Sequence, residues 1–389
     1  MTAPTQAPKS GAPAPVAASY PFPGGVYEST IQDKDDTLSL GGTVAAWVGT
    51  TLVPKWNISP TGWLRALWFD FTLTIAGNAA TPTMAADGPF SAVNKVTVND
   101  LGGEAIMQMT GYEWMIMNKF GGYFNMGDPR ADVTFSVTSG SGTSAGSFHF
   151  ILCLPFEAVS RDALGTVQNE SKPGWNVELY MDSAANTYAT QPTGTSTVSL
   201  RVRGFIDSYT EPQAMAPNGR QFAQTPPLPG SLQYWKSENN PVAAGNMKFD
   251  LSNGVGFPIR NILYYARAQS DGTRATADTN WPDPATLLLG NVNLFTKSKN
   301  LWISRLSKDF ELLSATADGI NGRENGVYPV YFTRDNGLQP GAELRFKYLD
   351  TQVNTLLRFQ GSFGAAVTFF ALTNWIATPS ANRYALIPG

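Results

Sequence analysis

The sequence predicts an all-β protein made of two tandem domains, and three observations predict it. Charged residues make up only 15% of the 389 residues while apolar residues make up 42%; an average soluble domain carries about 25% charged residues. The chain holds 37 Gly and 27 Pro beside 22 Phe, 14 Tyr and 10 Trp, the mix expected of many strands joined by turns. Third, a phrase is repeated. Lys55-Trp56-Asn57-Ile58-Ser59 recurs as Lys248-Phe249-Asp250-Leu251-Ser252. An apolar strand follows each copy, Leu64-Arg65-Ala66-Leu67-Trp68-Phe69 and then Ile259-Arg260-Asn261-Ile262-Leu263-Tyr264. A second echo pairs Pro173-Gly174 and the run 177–182 with Pro340-Gly341 and the run 344–350. Two domains of about 150–200 residues each also fit the length.

Residues 1–27 form the first element. Pro4, Pro8, Pro13, Pro15, Pro21 and Pro23 lead to Gly24-Gly25, and such a stretch cannot bury enough apolar surface to fold alone. It reads as an extended arm near polyproline geometry, held by a groove of its own chain or by a neighbouring subunit. The first domain follows over 28–208. Its run Asp33-Lys34-Asp35-Asp36 reads as a solvated loop, and its spacing is not that of a calcium-binding loop. Leu67, Phe69, Phe71, Leu73 and Ile75 alternate with Trp68, Asp70, Thr72 and Thr74, the period of a half-buried strand. Similar alternation marks 177–181 and 198–203, with Ser139–Ser144 as punctuation. Tyr112–Lys119 lacks alternation and is rich in helix formers, so a short helix is expected there.

A connector is expected over 209–246, with Pro212, Pro217, Pro226, Pro227, Pro229 and Pro241 and the turn signal Pro217-Asn218-Gly219. Its aromatics Phe222, Tyr234 and Trp235 predict a segment packed on the surface rather than a free tether. The second domain, 247–389, returns to β alternation at 344–348 and 367–371. Within it Trp302, Ile303, Leu306 and Phe310 fall at helical spacing. Each half therefore holds strands, a long insertion with a short helix, and more strands, with no βαβ alternation. The architecture predicted is two tandem eight-stranded jelly rolls, a double jelly roll with short helices in the long loops.

The totals exclude much chemistry. Net charge is −3, and no basic patch or tail marks a direct nucleic-acid partner. One cysteine, Cys153, and one histidine, His149, exclude an intrachain disulfide and a Cys/His zinc site within one chain. His149 lies in Phe148–Leu154, apolar on both strand faces, and reads as a satisfied core histidine. Cys153 reads as a small buried hydrophobe. No run of 18 apolar residues marks a transmembrane helix, and no signal peptide is recognisable, so folding in the cytosol of whatever cell makes the chain is expected. No phosphate loop, dinucleotide fingerprint or metal-ligand cluster is present. No catalytic residue, cofactor or metal is expected.

At this point the chain resembles the double jelly-roll major capsid proteins of tailless icosahedral viruses with an internal membrane, the tectivirus-like lineage. The stretches that carry the resemblance are Pro54 to Ile75, Asp87–Val96, Gly111-Tyr112-Glu113-Trp114, Pro217-Asn218-Gly219 and Gly326-Val327-Tyr328. The resemblance implies a homotrimer whose six rolls form a pseudo-hexagonal block tiling a capsid facet. It implies an N-terminal segment directed toward the internal lipid membrane and neighbouring trimers. Vertex or penton proteins and minor capsid proteins would be further partners, and the virion capsid the destination. Six aromatics are expected to anchor assembly: Tyr20, Phe22 and Tyr27 in the arm, and Phe222, Tyr234 and Trp235 in the connector. An exposed aromatic beside Pro-rich chain makes a good anchor. The alternative is a double jelly-roll glycoside hydrolase or lectin, for which Glu157, Asp162, Glu170 and Asp335 are the candidate carboxylates. A receptor-binding spike is a third reading, though a spike needs no duplicated domain.

Overall fold

The computed structural model describes residues 19–21, 28–121, 127–159, 163–169, 174–210, 223–225, 232–274, 280–309, 312, 317–332, 348–353 and 355–377. After β1 (Ser19–Pro21), the first half contains β2 (Glu28–Leu38), β3 (Thr51–Asn57), β4 (Trp63–Ala76), β5 (Thr83–Met84), β6 (Val93–Asn99) and β7 (Ala105–Met109). Helix α1 (Gly111–Phe120) comes next, followed by β8 (Ser136–Val137), β9 (Phe148–Pro155), β10 (Val167–Gln168) and β11 (Asn176–Met181). The short α2 (Ala184–Thr187), β12 (Tyr188–Thr190) and β13 (Thr197–Tyr209) complete it. β14 (Ala223–Thr225) leads to the second half: β15 (Leu232–Val242), β16 (Gly245–Leu251), β17 (Pro258–Ala268), β18 (Ala285–Leu289) and β19 (Val292–Lys297). It closes with α3 (Lys299–Asp309), β20 (Val327–Tyr331), β21 (Leu349–Asp350), β22 (Leu357–Phe363) and β23 (Val367–Ala377).

The two halves share one topology. In the first, β2-β13-β4-β9 form one sheet, extended by β8, and β7-β6-β11-β3 form the facing one. In the second, β15-β23-β17-β20 face β16-β22-β18-β19. Taking the eight main strands of each half in chain order, both rolls pair them first-eighth-third-sixth and second-seventh-fourth-fifth, the order of a jelly roll. The predicted double jelly roll is the observed fold. The long strands form because their alternation buries one face. Phe69, Phe71, Phe150, Leu200 and Val202 of one sheet are each at most 1% exposed, as are Val96 and Val98 of the other. Tyr264, Phe359 and Phe369 fill the second roll with Trp281 and Trp302.

The repeat has a structural cause. Ser59 donates its backbone N–H and its hydroxyl to Asp33 on β2. Ser252 donates both groups to Glu238 on β15. In each roll the serine that ends the repeated phrase is clamped by an acid on the first strand, which fixes where the chain leaves the second strand. The helices repeat too. Thr110 Oγ1 accepts the Glu113 N–H, and Ser298 Oγ accepts the Leu301 N–H, each a cap on the residue three further on. Four residues past each cap a buried indole donates to the sixth strand, Trp114 to Cys153 O at 2.6 Å and Trp302 to Pro329 O at 2.9 Å.

Three expectations are corrected. Asp33–Asp36 is not a loop but part of β2, paired along β13. The last third of the expected connector is not a surface segment. β15 is the first strand of the second roll, hydrogen-bonded to β23 over its whole length and to β7. The second echo aligns strands that do not correspond: 177–181 lie in β11, the seventh strand, whose counterpart is β22. Leu349–Asp350 instead pairs with the start of β17, as β10 pairs with the start of β4. Leu344 and Phe346 lie outside the described residues.

Candidate assembly interface

The best-defined contact face in this chain is the junction between its two rolls. β15 pairs in parallel with β7, Trp235 opposite Met107 and Lys236 opposite Gln108, so one sheet of each roll merges into a nine-stranded sheet. Helix α1 is wedged into this junction, and all ten of its residues are buried. Its capping box pairs Thr110 with Glu113. Glu113 then reaches across to the second roll, accepting the Tyr265 hydroxyl at 2.9 Å and the Ser237 hydroxyl. At the other end, the Tyr331 hydroxyl donates to Phe120 O at 2.7 Å.

Around α1 sits a balanced set of ions drawn from both rolls. Lys119 donates to Asp128 at 2.8 Å and to Glu324 at 2.7 Å. Arg130 holds Asp128 through Nε and Nη2 and also reaches Glu324. Arg274 bridges Asp87 at 2.6 Å and Asp318 at 2.9 Å, and Arg267 binds Asp87. Four cations meet four carboxylates. Lys119, Asp128 and Glu324 are at most 2% exposed, where an unpaired charge would be very costly. Burial pushes the Asp128 carboxyl up, but Arg130 and Lys119 outweigh it and bring it to about 2. Burial likewise opposes ionisation of Asp318, and Arg274 brings that carboxyl below its ordinary value. Beside the ions lies a cleft of ≈ 470 Å³ lined by Ser91, Tyr112, Asp182, Arg267 and Arg274 among others. Arg274 lies 4.3 Å from the Tyr112 ring centroid, and burial pushes the Tyr112 hydroxyl well above the usual phenol range.

The sequence-predicted anchors fall differently. Tyr234 and Trp235 are 7% and 0% exposed, because β15 is an interior strand of the merged sheet; they are not exposed anchors, and Trp235 lies opposite Met107 of the first roll. Tyr234 stacks on Trp375 at 5.2 Å. Tyr20 lies on β1, which pairs in parallel with β14, Tyr20 opposite Gln224; the arm is thus joined at this point to its own chain. Phe22, Tyr27 and Phe222 lie outside the described residues. No sequence signal singled out Lys119, Asp128, Arg130, Arg274 or Glu324, whose charges meet only once both rolls are formed.

The carboxylates of the glycosidase alternative gain no support. Both oxygens of Glu157 are occupied, one by the Tyr209 hydroxyl at 2.9 Å and the other by Arg65 at 2.9–3.0 Å. Burial raises its carboxyl, with Arg65 pulling the other way. Asp162, Glu170 and Asp335 lie outside the described residues. His149 is half-buried rather than a core residue, its Nδ1 2.6 Å from Thr134 O and its Nε2 2.9 Å from Asp70. Cys153 is buried, and that burial raises its thiol well above the ordinary range. Among the described residues no group of three or more His, Cys, Asp or Glu could hold a metal.

No protein-family model matches the chain, and no curated protein matches it. Solved structures do. A chain of the atomic structure of Sulfolobus Turreted Icosahedral Virus aligns over 93% of this chain and 94% of its own, with TM-score 0.60 and 12% identity. The major capsid protein P2 of bacteriophage PM2 aligns over 92% and 99%, with TM-score 0.53 and 11% identity. The Faustovirus major capsid protein aligns over 94% and 92%, with TM-score 0.52 and 8% identity. At such identities the likeness lies in the fold. This chain has the double jelly-roll fold found in those viral capsid proteins.

Proposed function

We propose that the chain is a viral major capsid protein, structural rather than catalytic. Three copies form a pseudo-hexagonal capsomer that tiles an icosahedral shell over an internal membrane. The observation that carries the reading is coverage: this chain and the PM2 capsid protein align over 92% and 99% of their lengths, so the likeness in fold spans both rolls. Three chains of two similar rolls approximate six-fold packing while obeying three-fold symmetry. The acidic balance, net −3, fits a shell separated from its genome by lipid. In this reading the chain folds in the host cytoplasm and its partners are other copies of itself. The arm meets the membrane and neighbouring trimers, and vertex and minor capsid proteins complete the shell.

The mass of the purified protein in solution tests the reading. Light scattering after size exclusion is expected to give three times the 41.9-kDa chain, unchanged on dilution; a clean monomer would remove the capsomer and turn attention to glycan binding. A second expectation concerns the arm. β1 and β14 form a two-stranded sheet separate from those of the rolls, so deleting residues 1–25 is expected to leave the trimer folded and to impair growth of the shell. Electron microscopy of assembly reactions reads the second effect and circular dichroism the first. An unfolded deletion variant would make the arm part of the core.

A further inference from the structure

Helices α1 and α3 occupy the same place in their rolls but meet different surroundings. All ten residues of α1 are buried. In α3, Trp302 and Leu306 are buried, while Leu301 is 46% exposed and Arg305 is also exposed. What covers α1 is the outer face of the second roll's sheet, where Leu263 and Tyr265 are at most 1% exposed. The equivalent face of the first roll, on β2, β13 and β4, stands open. Thr30, Asp35 and Arg201 on that face are exposed. β2 is an edge strand of the first roll and β19 an edge strand of the second, and a row of unpaired backbone groups is a ready template for another chain. Each roll therefore keeps one half of the junction that the chain has already formed once.

We propose that the junction is repeated between copies, with α3 of one copy seated on the open β2–β13–β4 face of the next and β19 lying parallel beside its β2. The proposal rests on the capsomer reading and assigns its contact face. Internal equivalence fixes the register by two routes. The serine clamps equate Asp33 with Glu238, and therefore Thr30 with Trp235. Independently, Thr30 lies opposite Asp207 and Asp207 opposite Ala66, as Trp235 lies opposite Asn374 and Asn374 opposite Asn261; the repeated phrase equates Ala66 with Asn261. On the other strand the helix caps equate Thr110 with Ser298, hence Met107 with Phe295 and Gln108 with Thr296. Because Lys236 sits opposite Gln108 within the chain, Ile31 of one copy sits opposite Thr296 of the next.

Cysteines at those positions read the contact directly. The full-length Ile31→Cys/Thr296→Cys variant, oxidised and run on a non-reducing denaturing gel, is expected to give a closed three-chain species. Facing strand positions lie within disulfide reach, and the native Cys153 is buried. Each single variant is expected to remain one chain. A trimer by light scattering that does not cross-link would overturn this junction and leave the capsomer standing; a monomer would remove both. Leu301→Asp provides a second reading. This exposed side chain can change without loss of the circular dichroism spectrum, and trimer association is expected to weaken at least about tenfold. Unchanged association would overturn the proposal.

Discussion

Replacing Glu324 by glutamine is expected to cost about 3 kcal/mol of stability, near the lower end for breaking a buried ion pair. The substitution keeps the shape and removes one charge from a set of four carboxylates and four cations. Lys119 at 2.7 Å and Arg130 are then left with Asp128 as the nearest counter-charge. A urea transition checks it: the midpoint falls while the slope stays the same. Salt separates this from surface electrostatics. Asp250 faces Arg358 across β16 and β22 with half of its side chain exposed, and removing that charge is expected to cost only about 0–1 kcal/mol, less in high salt. The Glu324→Gln deficit is expected to persist there. The same cluster sets the acid limit. Asp128 titrates near 2, below its ordinary 3.8, so its contribution is complete above about pH 4 and is lost as pH falls from about 4 to 2. Tryptophan fluorescence followed from pH 5 to 2 is expected to be flat above pH 4 and to change below it. A transition near neutral pH would mean that another group governs the junction.

How far the sequence could be read depends on the range of the signal. Period-two alternation needs only neighbours, so β4, β11 and β13 were legible from residues such as Leu67, Phe69 and Phe71. The two helices were legible because alternation stopped where helix formers began. β15 was not, because Ser237-Glu238-Asn239-Asn240-Pro241 has no apolar period; that strand is held by β23 and β7, which lie far away in sequence. The same blindness made Tyr234 and Trp235 look like surface anchors. β2 read as a loop because it is an edge strand with an acidic run. The true second echo was present but unread: a Ser or Thr cap followed four residues later by tryptophan, at Thr110 and Trp114 and again at Ser298 and Trp302. The mistaken echo at 173–182 and 340–350 rested on residue type alone, with no partner group to fix its register. The ion cluster could not be read at all, since Asp87, Lys119, Asp128, Arg274 and Glu324 become neighbours only in the folded chain.

Trp302→Ala is expected to be among the most damaging single changes in the second roll, at about 3–5 kcal/mol, and to abolish trimer formation as well. The indole is 1% exposed. Its ring meets Tyr264, Trp281, Phe295 and Tyr328 with centroids 5.2–6.5 Å apart, and its N–H satisfies Pro329 O. Truncation opens a cavity beneath α3 and leaves that buried carbonyl without its donor. Trp302→Phe separates the two effects. It keeps most of the ring packing and drops the hydrogen bond, so a smaller loss of about 1–3 kcal/mol is expected. Trp114 is the internal control. It packs on Phe69 and Phe71 and donates to Cys153 O, so Trp114→Ala should cost a similar amount. Its helix, however, is covered by the chain's own second roll, whereas α3 is held down from below by Trp302 and Leu306. Light scattering at a temperature where both variants remain folded distinguishes them. The Trp302 variant should lose association, and the Trp114 variant should retain more of it. Equal loss would mean that the two helices do not divide the work of joining rolls within a chain and joining chains to each other.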